Sequence, residues 1–202
     1  ISGLESQTDY ELYARRKCDD GTYGPWSEFV LSFATQCAPI VVGFDSPYFD
    51  GFENFTVDEN ILGCYQQVVY GHGASMYYAS SGAYTDDGTL TITSYEGELF
   101  ANLPFDNDTW LFRPFELKAD KNYEVSVMGR QDCDYGMTLN LAYCTEPNLA
   151  TVVDTMASDL LMRDWKEYKG WINVPADGIY YIGVNISTWG FSVEQNNSAI
   201  DN

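Results

Sequence analysis

Hydrophobic and polar residues alternate along three stretches in the second half of the chain. In the first, Tyr123, Val125 and Val127 share one face of a strand, while Glu124 and Ser126 share the other. This period of two predicts half-buried β-strands. In the second stretch the inward residues are Met137, Leu139, Leu141 and Tyr143, and in the third they are Tyr180, Ile182, Val184 and Ile186. The turn-rich segment 131–136 separates the first two stretches, and we expect these two to pair as antiparallel neighbours.

From about residue 40 onward, strand-like runs and turn clusters succeed each other at short intervals. This order predicts an all-β domain built as a jelly-roll β-sandwich. Segment 149–160 carries apolar residues at the three-to-four spacing of an amphipathic helix, so a short helix is the alternative there. The β-branched residues within 151–155 weigh against that helix.

Two further strand-like runs, Tyr10 to Cys18 and Trp26 to Thr35, flank a turn rich in Asp, Gly and Pro and predict a β-hairpin. Their pattern resembles the last two strands of a fibronectin type III domain, including a corner tyrosine at Tyr10. The residues that carry this resemblance are Leu4, Thr8 and Tyr10, then Gly24-Pro25-Trp26-Ser27, then Phe33-Ala34-Thr35.

The fibronectin-like pattern ends at Cys37-Ala38-Pro39, because proline cannot continue a central strand. We therefore predict two domains: residues 1–38, a partial fibronectin-type-III-like hairpin, and residues 39–202, the jelly roll. The first five strands of a fibronectin domain are missing from the pattern, and Ser6 replaces its usual proline. The chain is thus expected to be a slice of a larger modular protein.

Charge and hydrophobicity narrow the range of partners. The chain of 202 residues is 45% hydrophobic and 16% aromatic, which is ample for a packed core. Thirty acidic against ten basic residues give a net charge of -20, which repels phosphodiester backbones and anionic lipids. No apolar run approaches the roughly 20 residues that span a bilayer. Nucleic acid partners and membrane insertion are therefore not expected, and the oligomeric state stays open.

Catalytic motifs are scarce. His72 is the only histidine, and no serine lies in a G-x-S-x-G elbow, so hydrolase triads and multi-histidine metal sites are not expected. Paired carboxylates for glycoside cleavage stay open, since their separation in space decides that chemistry. We predict that the chain is not an enzyme. Its five cysteines form no C-x-x-C pair, and either two disulfides with a free thiol or simple buried residues fit this number.

Acidic and amide residues alternate with large aromatics in segment 49–55. Glu53, between Phe52 and Phe55 in this segment, is expected to lie among buried rings, where a carboxylate is costly unless a cation compensates it. The chain has few lysines or arginines for this purpose. A bound cation would meet the need, and calcium is the ion that prefers carboxylate and amide oxygens.

Residues 44–202 resemble the cleaved-adhesin and MAM-like jelly rolls of Bacteroidetes surface proteins, including gingipain adhesin regions. The resemblance implies a structural Ca²⁺ held by Glu53 and Asp201, with Asn54 as a further ligand, and a final strand that continues beyond Asp201. It also implies an extracellular or outer-surface setting and binding rather than catalysis. The matching pieces are Phe52-Glu53-Asn54, Leu62-Gly63-Cys64-Tyr65, Phe115-Glu116-Leu117, Tyr123-Glu124-Val125-Ser126-Val127, Gly178-Ile179-Tyr180-Tyr181-Ile182-Gly183 and Ile200-Asp201-Asn202.

Tryptophans are where a sugar site would show, because their faces stack on pyranose rings. Trp110, Trp165, Trp171 and Trp189 are the candidates, and Trp189 has the most loop-like surroundings and is the predicted ligand-binding residue. The predicted function is a non-enzymatic adhesion or carbohydrate-binding module for a glycan or host surface protein. The alternative is an accessory domain of a secreted protease or glycoside hydrolase whose catalytic domain lies outside this chain.

Overall fold

The computed structural model describes residues 3–6, 8–70, 76–85, 87–104, 108–133, 136–188 and 197–202. The chain divides into two compact units, Ile1–Ala38 and Pro39–Asn202. The described residues form β-strands and one short 3-10 segment, as the all-β prediction requires. No helix in these ranges is long and apolar enough to cross a membrane.

The first unit contains the predicted hairpin, interrupted on both arms. Strand β1 pairs with β4, and β2 pairs with β3, both antiparallel. The Tyr10 ring stacks on Phe33 at 5.9 Å, and its hydroxyl accepts a hydrogen bond of 2.8 Å from the backbone N–H of Glu5. A corner tyrosine makes this kind of bond to upstream backbone, and the fibronectin relationship itself stays a prediction. The strands are β1 Asp9–Leu12, β2 Arg15–Lys17, β3 Tyr23–Trp26 and β4 Leu31–Ala34.

The second unit is a β-sandwich. One sheet has five strands in the order β15-β12-β17-β10-β7, and the other has six in the order β14-β13-β16-β11-β5, with β6 also paired to β11. Strands β8 and β9 form a separate hairpin. The bounds are β5 Ile40–Val41, β6 Gln66–Val69, β7 Tyr78–Ser80, β8 Ala83–Tyr84, β9 Leu90–Ile92, β10 Phe100–Pro104, β11 Thr109–Leu117, β12 Tyr123–Gln131, β13 Met137–Cys144, β14 Val152–Leu160, β15 Lys166–Ile172, β16 Gly178–Thr188 and β17 Asn197–Asp201.

The three predicted inward faces all pack in the core between the sheets. The predicted pairing of the first two stretches is wrong, because β12 pairs with β15 and β17 while β13 pairs with β14 and β16. The chain passes from one sheet to the other between β12 and β13. Alternation fixes which face of a strand is buried, but it carries no information about the neighbouring strand. The core residues from these strands include Val127, Leu139, Leu141, Val184 and Ile186 in one cluster and Tyr123, Val125, Tyr143, Tyr180 and Ile182 in another.

Segment 149–160 is not a helix beyond its first turn. Leu149–Thr151 is a 3-10 segment, and Val152–Leu160 continues as edge strand β14. Stiff β-branched side chains favour the extended backbone here. The pairing of β13 with β14 contains two register shifts, and bulges of this kind interrupt strict alternation along a strand.

Gly183 in β16 lies beneath two aromatic rings on the outer face of the six-stranded sheet. A Cβ at this position would lie 2.9 Å from Trp110 Cε3 and closer still to the Phe112 ring. We expect Gly183→Ala to lower the free energy of unfolding by about 1–3 kcal/mol, because the rings or the strand must move. Gly178→Ala is the control, since its Cβ would meet only Tyr180 at 3.6 Å. Equal urea unfolding curves for the two variants would contradict this packing.

Candidate functional site

Asp201 is a buried carboxylate at the end of β17, the central strand of the five-stranded sheet. Its exposed fraction is 0%. Oδ2 accepts hydrogen bonds from the backbone N–H groups of Tyr95 at 2.8 Å and Glu96 at 3.1 Å. Oδ1 is buried and has no hydrogen-bond partner among the described residues. One oxygen of this carboxylate is therefore left for a ligand.

The protonation of Asp201 reflects this setting. Burial raises the pKa of Asp201 from its ordinary value of 3.8 to about 6, and the nearby charge of Glu53 adds to the increase. The backbone N–H groups of Glu96, Tyr95 and Asn202 act in the opposite direction but do not cancel the effect of burial. A carboxylate that is desolvated and lies near a second carboxylate gains stability from a cation.

Glu53 is exposed. The expectation that it lies among buried rings is therefore wrong, and the buried carboxylate is Asp201. Glu53 Oε1 accepts hydrogen bonds of 2.9 Å from the backbone N–H groups of Glu98 and Leu99. A Cβ on Gly51 would lie 3.6 Å from Asp201 Oδ1 and 4.0 Å from Glu53 Cγ, so both acidic side chains border this glycine. We call Glu53 and Asp201 the carboxylate clamp.

The carboxylate clamp has the chemistry that calcium prefers, since this cation takes six to eight oxygen ligands. Asp201 Oδ1 is a buried oxygen without a described partner, and Glu53 carries a second carboxylate beside it. Asn54 follows Glu53 and is exposed. No group of three or more His, Cys, Asp or Glu side chains in the described ranges could hold a metal. Further ligands would therefore be amide or backbone oxygens or water.

A row of polar side chains crosses the outer face of the six-stranded sheet. Asn140 on β13 lies opposite Ser158 on β14 and Asn185 on β16, and Asn185 lies opposite Trp110 on β11. Ser158 donates to Asn140 Oδ1 at 2.7 Å, and Asn140 Nδ2 donates to Asn185 Oδ1 at 2.9 Å. We call Ser158, Asn140, Asn185 and the adjoining Ser187 the polar row.

Both asparagines of the polar row make further hydrogen bonds. Asn140 Nδ2 also donates to the Ser187 hydroxyl at 3.1 Å, and Asn185 Nδ2 donates to Asp108 Oδ1 at 2.7 Å. Asn185 is only 1% exposed, whereas Ser158 is exposed and Asn140 is partly exposed. The row is thus anchored at its β16 end and open to solvent at its β14 end.

Aromatic side chains adjoin the polar row on the same face. Trp110 and Phe112 stack at 5.6 Å over Gly183 and are buried, with Trp110 6% exposed.

Trp165 is largely covered and donates its indole N–H to the Thr93 carbonyl at 3.1 Å. Trp171 is 64% exposed but lies on β15 in the other sheet. The predicted ligand residue Trp189 and the single histidine His72 lie outside the described residues.

The polar row was not predicted as a site, although the sequence contains a signal for it in two asparagines of predicted strands. Asparagine is depleted from strands, yet Asn140 and Asn185 stand between apolar residues in the middle of two neighbouring strands. Such a conflict between local preference and fold often marks a functional position.

The cysteines show no sign of catalytic use. Cys37 and Cys64 are disulfide-bonded. Cys18 and Cys144 are free thiols, and burial raises the pKa of the Cys144 thiol to about 11. Because the thiolate is the reactive form, Cys144 is chemically inert near neutral pH.

No protein-family model and no curated protein matches this sequence. The K1 cleaved adhesin domain of Lys-gingipain from Porphyromonas gingivalis W83 is similar in structure, with a TM-score of 0.55, 10% identity, and coverage of 76% of this chain and 94% of that one. The K2 cleaved adhesin domain of Lys-gingipain is also similar, with a TM-score of 0.52, 11% identity, and coverage of 76% of this chain and 95% of that one. For TmCBM61 in complex with β-1,4-galactotriose, the TM-score is 0.49 and the identity 16%, with coverage of 75% of this chain and 90% of that one. The predicted resemblance to cleaved adhesin domains is thereby confirmed as a shared fold.

Proposed function

We propose that this chain is a non-enzymatic glycan-binding module of a larger protein, and that the glycan binds at the solvent-exposed part of the polar row, Ser158 and Asn140. The observation that carries this proposal is the hydrogen-bonded series from Ser158 through Asn140 to Asn185 across neighbouring strands. Amide and hydroxyl groups both donate and accept, as sugar hydroxyls do. A glycan can therefore exchange hydrogen bonds with the row without leaving a charge uncompensated.

The solvent-exposed part of the row, Ser158 on β14 and Asn140 on β13, spans the distance between two neighbouring strands, about 4.8 Å. All four side chains of the row are neutral, as recognition of an uncharged sugar requires. The net charge of -20 acts against polyanionic ligands over longer distances.

Trp189 is the predicted stacking residue on the ground of sequence alone. It follows Thr188, the last residue of β16, and is four residues beyond Asn185 in sequence. Trp110 cannot serve as an open platform because it is buried. An aromatic face beside amide donors is the usual composition of a sugar site, because the ring packs on apolar C–H groups while the amides bind hydroxyls.

Calcium has a structural role in this proposal. We place it at Glu53 and Asp201, with Asn54 as a further oxygen ligand, where it would offset the charge of the buried carboxylate. Asp201 belongs to the five-stranded sheet and the polar row to the six-stranded sheet. The ion would therefore stabilise the sandwich without touching the glycan.

A secreted or surface location is the setting that we propose. Disulfides persist in oxidising compartments, and Cys37 and Cys64 are disulfide-bonded. The adhesin-like fold agrees with this setting.

Affinity electrophoresis in gels that contain neutral plant polysaccharides or mucin tests the proposed site. We expect retardation of the unmodified chain and at least about tenfold weaker binding for Asn140→Ala, since truncation removes the exposed amide together with the acceptor of the Ser158 hydroxyl and the donor to Asn185 Oδ1. Trp189→Ala should weaken binding in the same way.

Trp171→Ala is the matched control, because it removes an exposed tryptophan from the other sheet. Full binding by Asn140→Ala and Trp189→Ala would overturn the proposed position of the site. Release of reducing sugar by the pure chain would overturn the non-enzymatic part.

A further inference from the structure

The backbone just before Glu53 adopts a strained conformation. Phe52 has φ +62°, in the left-handed region that residues other than glycine rarely occupy. Its side chain is 5% exposed, so it cannot relax toward solvent without leaving the core. A conformation of this kind persists only when surrounding contacts impose it, and it is found preferentially at ligand clamps.

The Asp50 carboxylate imposes the turn. Its Oδ1 accepts a hydrogen bond of 3.0 Å from the backbone N–H of Phe52, which closes an Asx-turn from Asp50 to Phe52. Its Oδ2 accepts from the Tyr48 hydroxyl at 2.5 Å and from the Tyr65 hydroxyl at 2.7 Å. One carboxylate thus connects the strained backbone to two aromatic side chains.

The two tyrosines are themselves held in place. Burial raises the pKa of Tyr48 to about 12 and raises the pKa of Tyr65 as well, so both hydroxyls stay protonated as donors. The Arg113 guanidinium on β11 lies 4.5 Å from the centre of the Tyr65 ring and 5.6 Å from that of Tyr48. The two rings whose hydroxyls donate to Asp50 therefore both lie beside a side chain of the six-stranded sheet.

Two residues with positive φ adjoin the carboxylate clamp in sequence. Among the described residues other than glycine, only Phe52, Asp58 and Asn202 have positive φ. Phe52 immediately precedes Glu53, and Asn202 immediately follows Asp201. The turn at Asp50 also places Gly51 against Asp201 Oδ1, at 3.6 Å from its would-be Cβ.

We infer that Asp50 is a positioning residue for cation binding at the carboxylate clamp, acting through the Phe52 backbone and the two tyrosine hydroxyls. This inference rests on the calcium site proposed above. Both oxygens of the Asp50 carboxylate already accept hydrogen bonds within the protein, so we expect it to act on the site through the position of Gly51 and Glu53 and not as a ligand.

Calorimetric titration of calcium into the whole chain tests this role. We expect Asp50→Asn to raise the dissociation constant about tenfold, because the amide nitrogen cannot accept the hydrogen bonds of the oxygen that it replaces, whether these come from the two tyrosines or from the Phe52 N–H. Tyr65→Phe removes one of these donors and retains the ring, so it should weaken calcium binding in the same direction by a smaller factor.

Asp132→Asn is the matched control. The Asp132 carboxylate also accepts three hydrogen bonds, one from the Thr91 hydroxyl and two from Asn197. Unlike Phe52, neither of these donor residues adjoins Glu53 or Asp201 in sequence. We expect it to lower the melting temperature of the calcium-free chain as Asp50→Asn does, with calcium affinity changed less than about twofold. The comparison separates loss of positioning from loss of general stability.

Each outcome is decisive. Calcium binding by the unmodified chain with equal affinity in Asp50→Asn and Tyr65→Phe would overturn the positioning role while the metal site stands. A tenfold loss of calcium affinity in Asp132→Asn as well would show that general destabilisation weakens calcium binding. That result would also overturn the positioning role of Asp50. Absence of calcium binding by the unmodified chain would overturn the metal site and the inference together. If Asp50→Asn does not fold, Tyr65→Phe alone decides.

Discussion

Chelation of calcium is expected to lower the melting temperature of this protein by about 5–10 °C. A ligand present at about 100 times its dissociation constant stabilises the native state by about 2.7 kcal/mol. In a domain of this size each kcal/mol changes the melting temperature by about 2–4 °C. The physical cause is Asp201, whose buried Oδ1 has no hydrogen-bond partner in the described ranges. Thermal unfolding followed by circular dichroism, with excess chelator and then with calcium restored, measures the effect.

Glu53→Ala is the variant that ties this effect to the carboxylate clamp. It removes one proposed ligand from an exposed position, so the variant should fold but gain less from calcium than the unmodified chain. Glu98→Ala is a suitable control, since Glu98 donates its hydrogen bond to Glu53 from the backbone N–H, which this substitution retains. Identical melting curves with and without chelator would refute a structural calcium ion.

The calcium-free protein is expected to lose stability as the pH rises from about 4 to about 7. The pKa of Asp201 is raised from 3.8 to about 6 in the folded protein, so folding favours its protonated form. Its contribution is complete below the unfolded value and is lost as the pH passes through the folded value. A change of about two pKa units corresponds to about 3 kcal/mol. Urea unfolding between pH 4.5 and 7.5 in chelator measures the loss.

Asp201→Asn isolates this contribution, because the amide oxygen can still accept from Tyr95 and Glu96 but does not ionise. We expect the stability of the unmodified chain relative to this variant to fall with pH in chelator. Calcium should abolish the fall, since the ion favours the carboxylate. Hydrogen bonds lower the pKa values of Asp87 and Asp159, so their contributions change at lower pH and with the opposite sign. Parallel curves for the two chains in chelator would contradict the account.

Strand faces could be predicted from the sequence, whereas strand partners could not. Tyr123 and Leu139 were both placed inward and both pack in the core, yet their strands belong to different sheets. A jelly-roll chain and a meander of adjacent hairpins have the same period of two. Only the contacts between distant strands distinguish them, and no local pattern encodes these contacts.

The candidate site was predictable in part for a similar reason. Resemblance placed Glu53 and Asp201 together, and the structure brings them to the same glycine. Burial was assigned to the wrong carboxylate, because large neighbouring rings in sequence do not determine which way a side chain points. The outward position of Asn140 could be predicted from its alternation with leucines. Its bonds to Ser158 and Asn185 depend on pairing across three strands.

The position of a bound oligosaccharide, mapped by amide chemical shifts of the labelled chain, tests the central claim most directly. The side-chain amides of Asn140 and Asn185 report on the polar row, and the indole N–H of Trp171 reports on the other sheet. We predict that an oligosaccharide of a glycan that the chain retains will shift the asparagine signals, together with the backbone signals of Ser158 and Ser187, and leave the Trp171 signal unchanged. Shifts confined to the five-stranded sheet, or unchanged asparagine signals at saturation, would contradict the claim that the polar row binds the glycan.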